Sequence, residues 1–364
     1  MRIYCFIALL VSSCFACSSE VYDLANSSQW QKLLHLKPAN KTSYVVSSDF
    51  WLAQHDNVID PLLELNATLQ AFAQPIDDFL TVNEHPQCRF PARLQFLKAS
   101  LPNRHFSALP QLSCDKFNQW QGEQAIDSMS VVFASGYMSN PASMYGHTFL
   151  RVSSDEETPL ISNAINYAAK TTDTNGFIFA YKGLFGEYEG RYSILPYYEK
   201  IKEYNNLEQR DIWEYDLDLK QDEIDRLVLH AYELKDVYSD YFFFKENCSY
   251  NILWLLEIAR SDLDLVSHFS LKTVPLDSIK ILKPYNLIKD SKFRYSSMKK
   301  MKHILEEKIE NKEYLDSFVN DNEPLNEDLS IDDKISYLDF KISYLQYQRA
   351  NNEYDKKEYL SKYL

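Results

Sequence analysis

A cysteine stands at the start of a predicted helix, where its thiolate could act as a nucleophile. Asn247 precedes Cys248, and apolar residues then recur at helical spacing, at Ile252, Leu255, Leu256 and Ala259. Asn247 is a favourable N-cap, so Cys248 falls in the first turn, where free N–H groups and the helix dipole lower a thiol pKa. Cys248 also lies on the apolar stripe, so a small buried core residue is the alternative interpretation.

A cysteine nucleophile needs a base within hydrogen-bonding reach, and His147 is the strongest candidate for that base. Of the eight histidines, only His147 lies in a β-rich stretch framed by glycines. Alternation places His147, Phe149 and Arg151 on one face of a predicted strand. A lone strand histidine is more often structural, and His230 falls within a predicted helix, where a packed or surface position is expected.

Two asparagines are candidates for the group that orients the imidazole. Asn163 and Asn166 lie on opposite faces of the next predicted strand. Small residues share the face of Asn166, which would allow close approach to a neighbouring site, and an asparagine can hold the imidazole tautomer in a Cys-His-Asn arrangement. The alternative for Asn166 is an ordinary residue at a strand end. The N–H of Cys248 itself could be one donor of an oxyanion hole.

The cysteine count bears on whether Cys248 is free. Three of the six cysteines lie in the first 17 residues, and the others are Cys88, Cys114 and Cys248. In an oxidising compartment Cys88 and Cys114 can pair, and loop closure would then stabilise the fold by roughly 3 kcal/mol. That pairing leaves Cys248 as a free thiol, although Cys17 could pair with it if Cys17 survives processing.

Composition and missing motifs exclude several classes of function. The net charge of −14 and the pI near 5.1 argue against nucleic acid as a partner, since phosphate neutralisation needs a basic surface. The sequence has neither a Cys-x-x-Cys pair nor a His-Glu-x-x-His motif, so we expect no metal. It also lacks a Gly-x-Ser-x-Gly elbow and a phosphate-binding loop, and no cofactor is expected.

The N-terminus is typical of an export signal. A short basic start is followed by an apolar run and by small residues before Cys17, so residues 1–19 are predicted to be a signal peptide. A second interpretation is a lipobox at Val11–Cys14, which would make Cys14 a lipidated N-terminus. The predicted location is therefore the periplasm, with possible anchoring to a membrane through Cys14.

The rest of the chain divides into three predicted regions that together indicate an α+β protein. Residues 20–118 are predicted to form a helical domain that holds the Cys88–Cys114 disulfide. Residues 120–290 contain all the glycines, a helix over Asp222–Leu234 and strands at Met129–Ser135, His147–Val152, Leu160–Tyr167, Phe177–Tyr181 and Asp211–Leu217.

Residues 291–364 are predicted to be C-terminal amphipathic helices. The two helices expected there cover Lys299–Val319 and Ile331–Tyr363. A coiled-coil-like seam is predicted on the second of them, at Ile335, Leu338, Ile342 and Leu345. Such a helical hairpin would pack on the body of the protein or on a partner.

Five ordered motifs lie within residues 120–290. They are Tyr145–Arg151, Ala164–Ala169, Gly183–Gly186, Glu208–Tyr215 and Glu246–Tyr250. Together they resemble the bacterial Lnb N-terminal periplasmic domain family. The resemblance implies a permuted papain-like cysteine domain, an antiparallel sheet plus a nucleophile helix. As in lecithin:retinol acyltransferase-like proteins and unlike papain, the histidine precedes the cysteine; the expected fold also resembles NlpC-type cysteine enzymes.

The resemblance further implies a cysteine-dependent acyltransferase or a lipid acyl hydrolase. A fatty acyl chain would pass from a phospholipid, through a thioester on Cys248, to an amine acceptor such as a lipoprotein N-terminus. His147 would be the base and Asn166 its orienting group. Aromatic residues could line an acyl groove, namely 241–244, Phe177, Phe179 and Phe185. Arg151 or Arg210 could hold a phosphate, with a structural ion pair as the alternative for each.

Two other functions stay open at this stage. A papain-like amidase or peptidase that cuts cell-wall peptide would use the same residues. A non-catalytic envelope interaction protein would act through the C-terminal helices. Under the acyltransferase hypothesis the membrane surface is reached through an N-terminal lipid or through a partner that supplies a membrane part.

Overall fold

The computed structural model of the protein describes residues 19–37, 41–56, 58–122, 126–137, 143–154, 162–173, 175–320 and 324–350. Its α-helices are α1 Ser19–Ala25, α2 Ser28–Leu33, α3 Pro61–Phe72, α4 Pro86–Arg89, α5 Pro91–Ser100, α6 Asp115–Gly122, α7 Gly176–Phe185, α8 Tyr197–Ile201, α9 Gln221–Leu234, α10 Cys248–Ala259, α11 Pro275–Lys280, α12 Ser297–Glu307, α13 Lys312–Asn320 and α14 Ile331–Ala350. A π-helix, Lys202–Leu207, continues α8. The predicted signal peptide and Cys14 lie outside the described residues.

A seven-stranded antiparallel sheet forms the centre of the described structure. Its strands are β1 Ser128–Ala134, β2 His147–Ser153, β3 Asn163–Lys170, β4 Tyr188–Pro196, β5 Ile212–Leu217, β6 Tyr238–Tyr241 and β7 Ile288–Arg294. They lie in the order β6-β4-β3-β2-β1-β5-β7. Arg151 of β2 pairs with Ala164 of β3, so the alternating residues His147 and Asn166 lie on the same face of the sheet. The α+β class is confirmed.

Most of the strand predictions hold, but one is wrong. The stretches beginning at Met129, His147 and Asp211 form β1, β2 and β5, and the helix predicted over Asp222–Leu234 is α9. The predicted strand Phe177–Tyr181 is instead part of α7. Asn175 caps that helix by accepting the N–H groups of Phe177 and Ile178, and Gly186 ends it at φ 75°. These two capping residues outweigh the strand propensity of the aromatic residues between them.

Helix α10 is the central element of the core. Every residue of α10 is buried, and the helix packs between the sheet on one side and α9 and α2 on the other. Most of its residues are apolar, and the buried polar side chains Ser249, Asn251 and Glu257 are hydrogen-bonded inside the core. The N-terminal segment is fastened to it, because the indole of Trp254 donates to the Lys32 carbonyl at 2.9 Å and Lys32 pairs with Glu257 at 3.0 Å.

The predicted disulfide is present. Cys88 and Cys114 are bonded, with their Cα atoms 5.3 Å apart, and the bond joins α4 to the residues that lead into α6. Among the described residues Cys248 is the free cysteine, and it is buried. The alternative partner Cys17 lies outside the described part of the chain.

The C-terminal region differs from its prediction in two ways. The helix expected over Lys299–Val319 is divided into α12 and α13, which share a small apolar core with α14. The expected seam on α14 is buried only in part: Leu345 is buried, but Ile335 and Leu338 are exposed, and Tyr337, which is not a seam residue, is buried instead. Tyrosine supplies much of the buried surface there, and the seam counted only aliphatic residues. Within the described residues no helix combines the length and apolarity needed to cross a membrane.

Candidate active site

Cys248 opens α10 in the capped position that the sequence predicts. The side-chain oxygen of Asn247 accepts the N–H of Tyr250 at 3.3 Å. The amide nitrogen of the same side chain donates to the carbonyls of Phe243 at 3.0 Å and Thr273 at 2.8 Å. Asn247 therefore fixes the helix start to two surrounding loops at once, and this holds the cysteine rigidly in the first turn.

His147, the first residue of β2, lies next to Asn166 of β3. The Nε2 of His147 lies 2.7 Å from the Oδ1 of Asn166, whose amide nitrogen points toward Ser193 at 3.4 Å. If Nε2 carries its hydrogen toward that oxygen, Nδ1 is the nitrogen left to receive a proton. The imidazole also packs 5.5 Å from the Tyr204 ring. Asn166 is therefore placed to fix the tautomer and orientation of the imidazole, as the sequence predicts.

Cys248 and His147 hydrogen-bond through their side chains and form an acid–base pair. Burial raises the pKa of the Cys248 thiol, but the His147 charge, its hydrogen bond and those from the Thr148 N–H and Ser249 outweigh burial and lower the pKa to about 7. Burial alone would lower the pKa of His147, but the Cys248 thiolate and the hydrogen bonds with Cys248 and Asn166 raise it. Both shifts favour a thiolate–imidazolium pair, the reactive form of a cysteine nucleophile.

This pair predicts the pH dependence of alkylation at Cys248. The rate of alkylation by iodoacetamide should rise with pH, with a midpoint near pH 7. An ordinary cysteine gives a midpoint at about pH 8.5. Rates at the Cys248 peptide, measured by mass spectrometry across pH, check this. In a His147→Ala variant the midpoint should move upward, because burial then acts without the opposing imidazolium. A midpoint that His147→Ala leaves unchanged would contradict the pairing.

Tyr241 is a site residue that the sequence analysis places only in an acyl groove. Its hydroxyl accepts the backbone N–H of Cys248 and also hydrogen-bonds the Cys248 side chain, and burial raises the pKa of the phenol. The N–H predicted to be an oxyanion donor is thus already hydrogen-bonded to Tyr241 in this structure. The signal available in the sequence was the placement of Tyr241 at the end of a short strand, six residues before the N-cap.

A small cavity of about 60 Å³ opens beside Cys248. Aromatic and aliphatic side chains provide much of its lining, and Lys272 adds a positive charge. The lining residues are Tyr145, Gly146, Tyr241, Phe243, Phe244, Asn247, Cys248, Lys272, Thr273, Val274 and Pro275. The cavity is well below the several hundred Å³ of a site that encloses a whole ligand, so it can admit the reacting end of a substrate and little more.

The two candidate phosphate-binding arginines differ in their surroundings. Arg151 is a structural residue that pairs with Glu214 at 3.3 Å and with Asp216 at 3.2 Å. The Nε of Arg210 lies 2.7 Å from a Glu208 oxygen but off its N–H direction, so the contact is an ion pair and not a hydrogen bond. The terminal nitrogens of Arg210 are buried without a hydrogen-bond partner, and the guanidinium lies over the Tyr204 ring. The Nε of Arg151 also lacks a hydrogen-bond partner, but both terminal nitrogens of Arg151 are engaged by acidic side chains, whereas those of Arg210 are not.

Other buried histidines belong to the core. His35 and His230 face each other with their Nε2 atoms 2.9 Å apart, and His230 also contacts Glu233 at 2.9 Å. Burial and the neighbouring His230 and Arg93 charges lower the pKa of His35. His230 is thus a packed residue, one of the two positions expected for it. Across the described ranges, no group of three or more histidine, cysteine or acidic side chains could hold a metal ion.

Comparison with known protein families agrees with the arrangement of the site. Residues 116–285, which hold β1 to β6 and α10, match the Lnb N-terminal periplasmic domain model. Residues 22–100 match a domain of unknown function. No curated protein and no solved structure matches the chain. The periplasmic description of the matched family indicates a periplasmic envelope protein. Since Cys248, His147 and Asn166 all lie within the matched segment, the chain carries its candidate site in a domain that belongs to the Lnb N-terminal periplasmic domain family.

Proposed function

We propose that this protein is a cysteine-dependent acyltransferase of the periplasm, which moves a fatty acyl chain from a phospholipid to an amine such as a lipoprotein N-terminus. The observation that carries the proposal is the hydrogen-bonded Cys248–His147 pair, in which Asn166 orients the imidazole from 2.7 Å. In the same proposal, the antiparallel sheet and α10 correspond to a permuted papain-like domain, with His147 before Cys248 along the chain.

In the first half of the reaction, the Cys248 thiolate attacks the carbonyl carbon of the phospholipid ester. The C–S bond forms, the negative charge moves to the carbonyl oxygen, and the Tyr241 hydroxyl is a nearby donor that can stabilise it. When the intermediate collapses, the ester C–O bond breaks. The leaving alkoxide takes a proton from the His147 imidazolium, which leaves a lysophospholipid and an acyl thioester on Cys248.

In the second half, the neutral amine of the acceptor attacks the thioester carbonyl. His147, now neutral, takes a proton from the attacking nitrogen while the C–S bond breaks and the thiolate returns. The product is an amide. Asn166 holds the imidazole in one orientation through both halves, so the same ring can give and take a proton.

The lining of the cavity favours an acyl donor over a cell-wall peptide. Phe243, Phe244, Val274 and Pro275 surround the approach to Cys248, and Lys272 is the one charged residue in the lining. An apolar chain next to a carbonyl suits these surroundings, whereas a peptide would leave backbone N–H and C=O groups unpaired against phenyl rings. Lys272 offers positive charge for the phosphate of the donor.

Intact mass spectrometry after incubation with a phospholipid of known acyl chain tests the proposal. We expect a covalent adduct of the mass of that acyl group on Cys248, which neutral hydroxylamine removes as it does other thioesters. Cys248→Ala should give no adduct. The disulfide-bonded Cys88 and Cys114 are internal controls that should stay unmodified. An adduct that persists in Cys248→Ala, or Cys248-dependent release of peptidoglycan fragments without any adduct, would overturn the acyltransferase assignment.

A further inference from the structure

Helix α7 turns an apolar stripe toward solvent. Its exposed residues are Phe177, Ile178, Tyr181, Leu184 and Phe185, which recur at the one-, four-, seven- and eight-residue spacing of a single helix face. Phe177 is 90% exposed and Phe185 62% exposed. The stripe carries no charged side chain. A surface helix of a soluble protein normally has the opposite arrangement, with its polar face outward.

The inner face of α7 is firmly attached, so the exposed stripe does not result from a loose helix. Phe179 packs 4.9 Å from the ring of Phe243. Gly183 lies so close to the same ring that an added Cβ would sit 2.2 Å from it, and the Gly183 carbonyl accepts the Phe243 N–H at 2.9 Å. Lys182 is also held, through Asp173 at 2.9 Å. The stripe is therefore presented in a fixed orientation.

The attached side of α7 leads directly to the candidate active site. Phe243 touches α7 and also lines the cavity beside Cys248. The next residue, Phe244, lines the same cavity, and its ring lies 5.7 Å from that of Tyr145; both of these side chains are exposed. Apolar side chains thus link the attached face of α7, through Phe243, to the cavity beside the thiol.

The size of the cavity indicates what should lie against this surface. A space of about 60 Å³ cannot enclose a long acyl chain, so most of the chain must stay outside while its carbonyl reaches Cys248. A bilayer supplies the apolar environment that the rest of the acyl chain needs. Lys272 lines the cavity and is exposed, with no ion-pair partner in the described part of the chain, and so complements lipid phosphate. Aromatic and leucine side chains next to such a cation are typical of interfacial helices.

We propose that the exposed face of α7 docks on a phospholipid bilayer and holds the opening of the Cys248 cavity at the lipid surface. The proposal rests on the acyltransferase function, because a phospholipid substrate gives the docking its purpose. It is separate from an N-terminal lipid: an anchor would keep the chain near a membrane, while α7 would set its orientation.

Vesicle sedimentation tests the docking surface. All versions are the full chain with Cys14→Ser and Cys17→Ser, so that no lipid attached at either position contributes. The test variant carries Phe177→Gln, Tyr181→Gln and Phe185→Gln. The matched control replaces three exposed apolar residues elsewhere with glutamine, at Val58, Leu80 and Ile331. Vesicles of phosphatidylethanolamine with phosphatidylglycerol are the probe.

We expect the α7 variant to bind these vesicles at least about tenfold more weakly than its parent, because three aromatic side chains no longer enter the interface. The matched control should bind within about twofold of the parent, and all versions should melt alike, since only exposed side chains change. Equal vesicle binding by the α7 variant and its parent would overturn the proposal. So would a concentration-dependent dimer of the parent that the α7 variant loses, which would assign the stripe to a second copy of the chain.

A Cys248→Ala variant separates this proposal from the acyltransferase proposal. It should bind vesicles as its parent does while forming no acyl adduct. If no version forms an adduct but the α7 variant still loses vesicle binding, the docking surface stands and the proposed chemistry fails. If the adduct forms on the α7 variant from vesicles as fast as on its parent, the chemistry stands and the docking role fails.

Discussion

A His147→Ala variant is expected to form the Cys248 acyl thioester about 10³- to 10⁴-fold more slowly than the unmodified chain. Two effects act in the same direction. The variant loses the charge that lowers the thiol pKa to about 7, so burial raises the pKa and most of the sulfur is protonated at neutral pH. It also loses the group that protonates the leaving alkoxide. Single-turnover mass spectrometry with a phospholipid donor measures the rate.

Two controls distinguish a catalytic histidine from a structural one. Added imidazole should restore part of the rate in His147→Ala, since a small base can enter the space left by the ring; a variant that is merely misfolded would not respond. Asn166→Ala should slow thioester formation less than His147→Ala does. It removes only the hydrogen-bond partner that lies 2.7 Å from Nε2 of His147 and leaves the base in place. A rate in His147→Ala within a few-fold of the parent would remove His147 from the mechanism.

The candidate site could be predicted from local sequence because its residues lie where local rules apply. A capping asparagine, a cysteine and an apolar helical pattern occupy adjacent positions, so Asn247 and Cys248 needed no tertiary information. His147 and Asn166 each lie on a strand whose alternation fixes the face of the side chain. The alternation does not show that the two strands are neighbours, which the pairing of β2 with β3 adds.

These local rules cannot predict residues whose role depends on tertiary contacts. Tyr241 contributes to the site only because β6 pairs with β4 at the edge of the sheet, where its hydroxyl meets the Cys248 N–H. In β7 five consecutive residues are exposed, so it has no alternating pattern to detect. The strand prediction within α7 is wrong because the exposed stripe of this helix is largely aromatic, and aromatic residues favour strands. A rule that assigns apolar residues to the core cannot describe a helix whose apolar face points outward.

The attachment of the N-terminal region could not be predicted either, since it depends on buried charges far apart in sequence. Arg93 is fully buried and donates to Glu64 at 2.8 Å and to the Phe50 carbonyl at 2.9 Å. Its backbone N–H donates to Glu233 of α9 at 2.9 Å. Glu233 in turn contacts His230. This network joins α3 and α5 to the helix that packs against α10.

Replacing Arg93 with methionine should lower the free energy of unfolding by about 3 to 5 kcal/mol, the usual cost of leaving a buried charge without its partner. The Glu64 carboxylate keeps the N–H groups of Leu52 and Ala53 at 3.0 Å and the His55 imidazole at 2.9 Å but loses the guanidinium of Arg93. Urea unfolding followed by circular dichroism measures the change. Adding Glu64→Gln to Arg93→Met should recover part of the loss, because the stranded charge is then removed.

The matched control is Arg104→Met, which breaks the exposed pair between Arg104 and Glu20. Exposed ion pairs contribute about 0 to 1 kcal/mol, so this variant should unfold almost as the parent does. Equal stability of Arg93→Met and Arg104→Met would show that the buried network is not what holds the N-terminal region. Because Glu233 lies on α9, which packs against α10, we expect Arg93→Met to lower the same cooperative transition that unfolds the Cys248 site. If the N-terminal helices instead unfold in a separate, earlier transition, residues 22–100 and residues 116–285 are only weakly coupled.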